Sequence, residues 1–106
     1  MRYERKPFFD KTIKRLPIDR KEKVKEAIQE LVIFFETGQK TRGLGLKKLR
    51  DDFWEIRTDL KDRIFFRFKG DLVEFVIVGA HSEIIGKMVT MDTANYLQKG
   101  ESKNQP

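Results

Sequence analysis

A stripe of hydrophobic residues at helical spacing is the clearest pattern in the first third of the chain. Its members recur every three or four positions: Val24, Ala27, Ile28, Leu31 and Phe35. The stripe predicts an amphipathic helix, with Asp19 and Glu22 as a capping box at its start and Gly38 as its C-terminal cap. A shorter helix over residues 8–15 is predicted to end before Pro17, because the residue that precedes a proline is disfavoured in helical conformation.

Beyond residue 50 the hydrophobic pattern changes to alternation, which is typical of β-strands with two different faces. One set of alternating residues is apolar and is expected to pack against the helices: Trp54, Ile56, Ile64, Phe66 and Phe68. The other set faces away from them: Glu55, Arg57, Arg63, Phe65 and Arg67. A tight turn at residues 69–71 leads to a third strand over 72–78, which is apolar on both faces except at Glu74 and therefore predicted to lie inside the sheet.

The segment between the helices and these strands is predicted to be a loop or a partly helical linker. Gly43 and Gly45 favour flexibility there, and Lys47, Lys48 and Arg50 make the segment basic. The fold expected from all these elements is α+β, with two N-terminal helices packed on one face of a twisted antiparallel sheet. We expect residues 1–98 to form a single domain and residues 99–106 a disordered tail.

Composition narrows the classes of function. The 106-residue chain has no cysteine and one histidine, which excludes disulfides, thiolate metal sites and a multi-histidine metal site within one chain. No segment approaches the roughly 18 apolar residues of a membrane span, and the charged N-terminus lacks a signal-peptide core. We therefore expect a cytoplasmic protein that needs no cofactor or metal and does not bind membranes.

The charge of the chain is uneven. Residues 1–50 contain 15 lysines and arginines against 7 acidic residues, whereas residues 51–106 contain 8 against 10. A basic half favours a polyanion or an acidic protein partner, although a solvated lysine surface explains the same numbers. Lys47, Lys48 and Arg50 are accordingly either contacts to a nucleic-acid backbone or a solvated rim.

The face with Glu55, Arg57 and Arg63 has the residue types needed to cleave RNA without a metal. Glu55 is a candidate base for the 2′-hydroxyl, the arginines match phosphate oxygens, and His81 is a candidate acid. The alternatives are a cross-strand salt-bridge ladder for the charged residues and an exposed loop position for His81. Phe65 on this face either stacks on a base or is buried, whereas Trp54 is expected in the core.

Several motifs together give the chain a family resemblance. GLKKL is followed by an aromatic strand that ends in Ile-Arg, then by DRIFFRF, a Gly-Asp turn and an apolar strand that ends in VGAH. This combination resembles the RelE/ParE superfamily of bacterial and archaeal type II toxins over roughly residues 3–87. The resemblance implies a toxin that a cognate antitoxin neutralises in a hetero-oligomer. RelE-type members cut mRNA on the ribosome, and ParE-type members inhibit DNA gyrase.

The match to RelE-like nucleases is partial at the site. Arg63 corresponds to their phosphate-binding arginine, and Glu55 and Arg57 occupy strand positions where they have lysines. His81 corresponds to a basic residue after the last strand, and Lys87 stands where they often have a tyrosine.

These assignments predict a catalytic set and an RNA-binding set. Glu55, Arg57, Arg63 and His81 form the catalytic set. The RNA-binding set is Lys47, Lys48, Arg50, Phe65, Arg67 and Lys87. A ribosome-dependent mRNA endoribonuclease is the function expected. The alternatives are a non-catalytic member, which inhibits gyrase or only binds an antitoxin, and a general nucleic-acid-binding domain.

Overall fold

The computed structural model describes residues 1–39, 43–50 and 52–82 as two helices and one five-stranded sheet. In chain order the elements are β1 (Arg2–Arg5), α1 (Pro7–Lys14), α2 (Ile18–Thr37), β2 (Lys47–Arg50), β3 (Phe53–Arg57), β4 (Asp62–Lys69) and β5 (Leu72–Ala80). The strand order is β1-β5-β4-β3-β2. Strands β2 to β5 pair antiparallel, and β1 pairs parallel with β5, so the predicted α+β class is confirmed with a mixed sheet. No helix in the described part of the chain is long and apolar enough to cross a membrane.

The main core lies between the helices and one face of the sheet. Val24 and Leu31 of α2 are fully buried, and they belong to the same cluster as Ile56, Ile64 and Phe66 of the sheet. Both predicted hydrophobic sets therefore meet as expected. Burial of apolar surface of this kind stabilises the fold by about 25 cal/mol per Å².

The ends of α2 differ in how well the sequence predicts them. Gly38 caps the C-terminus in the left-handed conformation, with φ 78° and its N–H bound to the carbonyl of Phe34 at 2.8 Å. The predicted capping box is wrong, because α2 begins at Ile18 with Pro17 as the N-cap and makes no side-chain cap hydrogen bond. Asp19 lies inside the first turn instead, where its negative charge interacts favourably with the helix dipole.

A second hydrophobic cluster occupies part of the opposite sheet face. Phe65, Val76 and Ile77 are buried there, with Phe8 and Phe53 packed against them. The pairing skips a residue between Phe65 and Phe66, which leaves Val76 as an extra residue in β5. This β-bulge and the second cluster explain why β5 is apolar on both faces, and its position between β1 and β4 confirms the predicted interior strand.

A buried ion pair joins the start of α2 to the β3–β4 hairpin. Asp62 is 0% exposed, and its two carboxylate oxygens accept hydrogen bonds from Arg20 Nε at 2.9 Å and Nη2 at 2.6 Å. The backbone carbonyl of Asp62 also accepts the N–H of Thr58 at 3.1 Å. These bonds fix the hairpin whose two strands carry Arg57 and Arg63.

Residues 47–50 form the edge strand β2, although the sequence predicts a loop or partly helical linker there. The preceding segment is anchored rather than loose, because Leu44 is 1% exposed in the main core. Its carbonyl accepts the N–H of Arg57 at 3.1 Å. The predicted tail at 99–106, the domain boundary at residue 98 and Lys87 lie outside the described residues.

Candidate active site

Three strands bring charged side chains into one open cleft on the sheet face away from the main core. Arg57 on β3 lies directly opposite Arg63 on β4, and Glu55 lies opposite Lys47 on β2. All four line a cleft of 410 Å³ together with Gly45 and Leu46. This volume falls within the range of small-molecule sites and can admit a nucleotide.

Glu55 has the most unusual environment in the cleft. Its side chain is only 6% exposed, and its Oε1 atom has no hydrogen-bond partner among residues 1–39, 43–50 and 52–82. Arg63 Nε lies 3.8 Å from Oε2, and His81 Nδ1 lies 3.8 Å from Oε1. Both distances are too long for hydrogen bonds, so the buried Glu55 has an arginine and an imidazole close by and one oxygen that no described residue binds.

The two arginines of the cleft differ in their partners. Arg63 is one-quarter exposed and lies beside Glu55. Arg57 is exposed, and among the described residues no carboxylate pairs with it. Its guanidinium is therefore the more available of the two for an incoming anion, because the planar fork can bind two phosphate oxygens at once.

His81 lies at the end of β5, immediately after Ala80, and is half exposed. Its ring reaches Glu55 from outside the set of residues that line the cleft. An imidazole in this place can reach solvent on one side and the buried carboxylate on the other. That placement suits a group that exchanges protons.

Solved structures of several toxins have the same fold. A chain of the RelB–RelE antitoxin–toxin complex from Methanococcus jannaschii has a TM-score of 0.61 at 20% identity, covering 82% of this chain and 98% of its own. YafQ from Escherichia coli BL21(DE3) has a TM-score of 0.58 at 12% identity, with 79% and 98% covered. The YoeB dimer from Staphylococcus aureus gives 0.57 at 14% identity, with 76% and 97% covered.

This chain has the RelE-like toxin fold. No model of a protein family matches the sequence, and no curated protein matches it. The structural neighbours include RelE, YafQ and YoeB. At these identities the likeness establishes the fold, and the function has to be argued from the cleft.

The two neighbouring lysines of β2 lie on opposite faces of the sheet. Lys47 pairs with Glu55 and lines the cleft, whereas Lys48 pairs with Trp54, whose side chain packs against the main core. Lys48 therefore does not line the cleft. Arg50 belongs to β2 opposite Phe53, past an irregularity in the pairing, and the predicted site residue Lys87 lies outside the described residues.

Two other predicted RNA contacts have structural roles in the RelE-like fold. Phe65 is fully buried in the second hydrophobic cluster, so the prediction that it stacks on a base is wrong. Arg67 donates from Nε to Glu74 at 2.7 Å and lies over the ring of Phe53, 5.9 Å from its centroid. Its hydrogen bond holds the pKa of the buried Glu74 carboxyl below the usual value, against the opposing effect of desolvation.

Two contacts near the cleft cannot be predicted from the sequence. The Arg57 side chain lies against Gly45, which depends on backbone geometry, and the hydrogen bond from Arg20 to Asp62 spans 42 positions. Alternation in β3 and β4, in contrast, does place Glu55, Arg57 and Arg63 on one face. In residues 1–39, 43–50 and 52–82, no three acidic or histidine side chains converge to hold a metal ion.

Proposed function

We propose that this chain is the toxin of a type II toxin–antitoxin system and cleaves mRNA as a metal-independent endoribonuclease. The observation that carries the proposal is the buried Glu55, which lies beside Arg63 and His81 and whose Oε1 has no hydrogen-bond partner in the described part of the chain. Native proteins rarely leave a buried polar atom unsatisfied, and a catalytic role is one of the recognised reasons for such an atom. The RelE-like fold supports the same function independently.

The proposed reaction is an in-line attack of the RNA 2′-hydroxyl on the adjacent phosphate. Glu55 accepts the 2′-hydroxyl proton as the new O2′–P bond forms. Arg57 and Arg63 stabilise the charge on the phosphate oxygens in the transition state. The O5′–P bond then breaks, and His81 in its protonated form donates a proton to the leaving 5′-oxygen. The products are a 2′,3′-cyclic phosphate and a 5′-hydroxyl, so all atoms and protons balance.

The proposed partners are the translating ribosome with its mRNA and a cognate antitoxin. Two solved neighbours are named as complexes with their antitoxins, RelB–RelE and DinJ–YafQ, and this supports an antitoxin for the present chain in a hetero-oligomer. Lys47 at the margin of the cleft and the positive net charge of +6 suit a nucleic-acid substrate. We place the reaction in the cytoplasm, where mRNA is translated.

The test is induced expression in a bacterial host, followed by mapping of new mRNA 5′ ends. We expect growth arrest with new 5′ ends inside coding regions. Arg63→Ala should abolish both effects, whereas Lys25→Ala on the exposed surface of α2 should retain them. Growth arrest without new mRNA ends, together with inhibition of purified gyrase in a supercoiling assay, would support the non-catalytic alternative and refute the nuclease.

A further inference from the structure

We infer that Gly45 is a positioning residue: the absence of a side chain there leaves the space in which the Arg57 side chain lies in the cleft, so that Arg57 receives a phosphate of the RNA backbone. The need for this space follows from geometry alone. The role of Arg57 as phosphate ligand rests on the proposed function. Gly43 and Gly45 are equally plausible as flexible loop residues in the sequence, and the structure separates them.

The Arg57 side chain lies directly against the backbone of Gly45. A Cβ atom added to Gly45 would lie 2.8 Å from Arg57 Cγ, 2.8 Å from Nε and 3.0 Å from Cδ. Such separations are shorter than van der Waals contact, so any side chain at position 45 must displace the arm of Arg57. Because Cγ lies close to the backbone, the displacement requires a rotation near the root of the side chain and moves the guanidinium with it.

Neither partner in this contact can move away easily. Leu44 is buried in the main core, and its carbonyl accepts the backbone N–H of Arg57 at 3.1 Å. Gly45 itself has φ +64°, a left-handed conformation in which glycine has no steric penalty. The loop and the end of β3 are thus joined immediately beside the contact, and an added methyl group cannot be relieved by separating them.

Arg57 lines the 410 Å³ cleft and also a smaller polar pocket of 30 Å³. Three carboxylates line that pocket, and two of them, Glu26 and Asp59, already pair with Lys23 at 3.4 and 3.3 Å. An arm pushed away from Gly45 towards this pocket would meet the third, Glu30, and the cleft would lose its unpaired arginine.

The contrast with Arg63 makes the position of Arg57 important. Arg63 lies 3.8 Å from the buried Glu55 and compensates its charge, so it is already engaged before RNA arrives. Arg57 is exposed and unpaired with any carboxylate in the described part of the chain. The space beside Gly45 therefore keeps in the cleft the one of these two arginines that has no carboxylate partner there.

The experiment compares three glycine-to-alanine variants, alone and combined with Arg57→Ala. Gly70 is the matched control for backbone strain, because its φ is +63° and a Cβ atom added there would have no neighbour within 4 Å. Gly43 controls for the same loop, with φ +87° and no such contact. One readout is affinity for a single-stranded DNA oligonucleotide, which lacks the 2′-hydroxyl and cannot be cleaved, and the other is thermal unfolding.

We expect Gly45→Ala to weaken oligonucleotide binding by roughly tenfold, as for the loss of a charged hydrogen bond, and to destabilise the fold more than Gly70→Ala. Both excess effects should disappear in the Arg57→Ala background, where the clashing atoms are gone. If Gly45→Ala does not fold, recovery of folding in the double variant supports the contact. Equal losses in both backgrounds, or losses equal to those of Gly70→Ala, would overturn the inference. A protein that binds no oligonucleotide would refute the proposed function, while the unfolding comparison would still test the contact between Gly45 and the Arg57 side chain.

Discussion

Two buried carboxylates of this molecule face arginines in very different ways. Asp62, at the base of the β3–β4 hairpin, is completely buried and receives two short hydrogen bonds from Arg20 at 2.9 and 2.6 Å. Glu55, in the cleft, has a side chain that is 6% exposed and lies 3.8 Å from Arg63, and no described residue donates a hydrogen bond to its Oε1. The first carboxylate is fully satisfied, and the second is not.

The difference separates an ion pair that holds the fold from one that is suited to chemistry. A satisfied buried pair is costly to break, because removing one partner leaves a buried charge without compensation. A buried carboxylate with an unsatisfied oxygen costs stability, and that oxygen remains able to accept a proton. The hairpin that Asp62 anchors carries the arginines that surround Glu55, so the stable pair supports the reactive one.

The largest expected effect on stability comes from breaking the ion pair between Arg20 and Asp62. Arg20→Ala should lower the free energy of unfolding by about 3–5 kcal/mol, because Asp62 would then be buried without its cation. Denaturant unfolding measures the change. The double variant with Asp62→Asn should recover part of the loss. A loss below about 1 kcal/mol for Arg20→Ala would show that the pair does not hold the hairpin.

On the cleft side, removal of the candidate acid should affect activity rather than stability. His81→Gln should slow RNA cleavage by about 10²-fold or more, through the loss of a proton donor. The half-exposed ring should leave the unfolding free energy nearly unchanged. Cleavage of a defined RNA under single-turnover conditions measures the first effect. Unchanged cleavage would remove His81 from the mechanism.

A third carboxylate, Glu74, allows the comparison to be extended through pH. Its pKa is lowered first by the hydrogen bond from Arg67, so the folded state favours the ionised form. This contribution to stability is present above the unfolded pKa of about 4.3 and is lost as the pH falls through the lower folded pKa. Glu74→Gln should flatten the pH dependence of unfolding in that acidic window. An unchanged profile would contradict the assigned ion pair.

The smallest expected effect distinguishes the neighbouring lysines of β2. Lys47→Ala should weaken RNA binding and reduce the slope of log affinity against log salt by about 0.7, the value for one phosphate contact on a single strand. Lys48→Ala should change neither, because Lys48 lies on the opposite face. Affinity measured at several salt concentrations decides between them. Equal effects of both substitutions would place the RNA outside the cleft.

Hydrophobic periodicity predicts much of the fold, because a helix or strand that is buried on one side has apolar residues at regular spacing in the sequence. The stripe of α2, its Gly38 cap and the alternation in β3 and β4 all follow from it. Strand β2 is missed, because Lys47 and Lys48 are consecutive polar residues and Leu49 is the one leucine of this four-residue edge strand. The parallel pairing of β1 with β5 depends on contacts distant in sequence and is missed for that reason.

The candidate site is predictable only as far as alternation reaches. The alternation of side chains along each strand places Glu55, Arg57 and Arg63 on one face, but it cannot show whether a residue on that face is covered. By alternation Phe65 lies on the cleft face, and it is nevertheless buried in the second hydrophobic cluster. Likewise, the unsatisfied oxygen of Glu55 and the contact of Arg57 with Gly45 depend on distances of a few ångströms, which no spacing in the sequence encodes.

The most direct test measures unfolding free energy and RNA cleavage rate in parallel for Glu55→Gln and Asp62→Asn. Glu55→Gln should reduce cleavage by about 10²–10⁴-fold and leave stability unchanged or higher, because a neutral amide is less costly to bury than an unsatisfied carboxylate. Asp62→Asn should lower stability by several kcal/mol, with cleavage retained in the folded fraction. If Glu55→Gln instead destabilises the fold as much as Asp62→Asn and still cleaves RNA, Glu55 is a structural residue and the account is wrong.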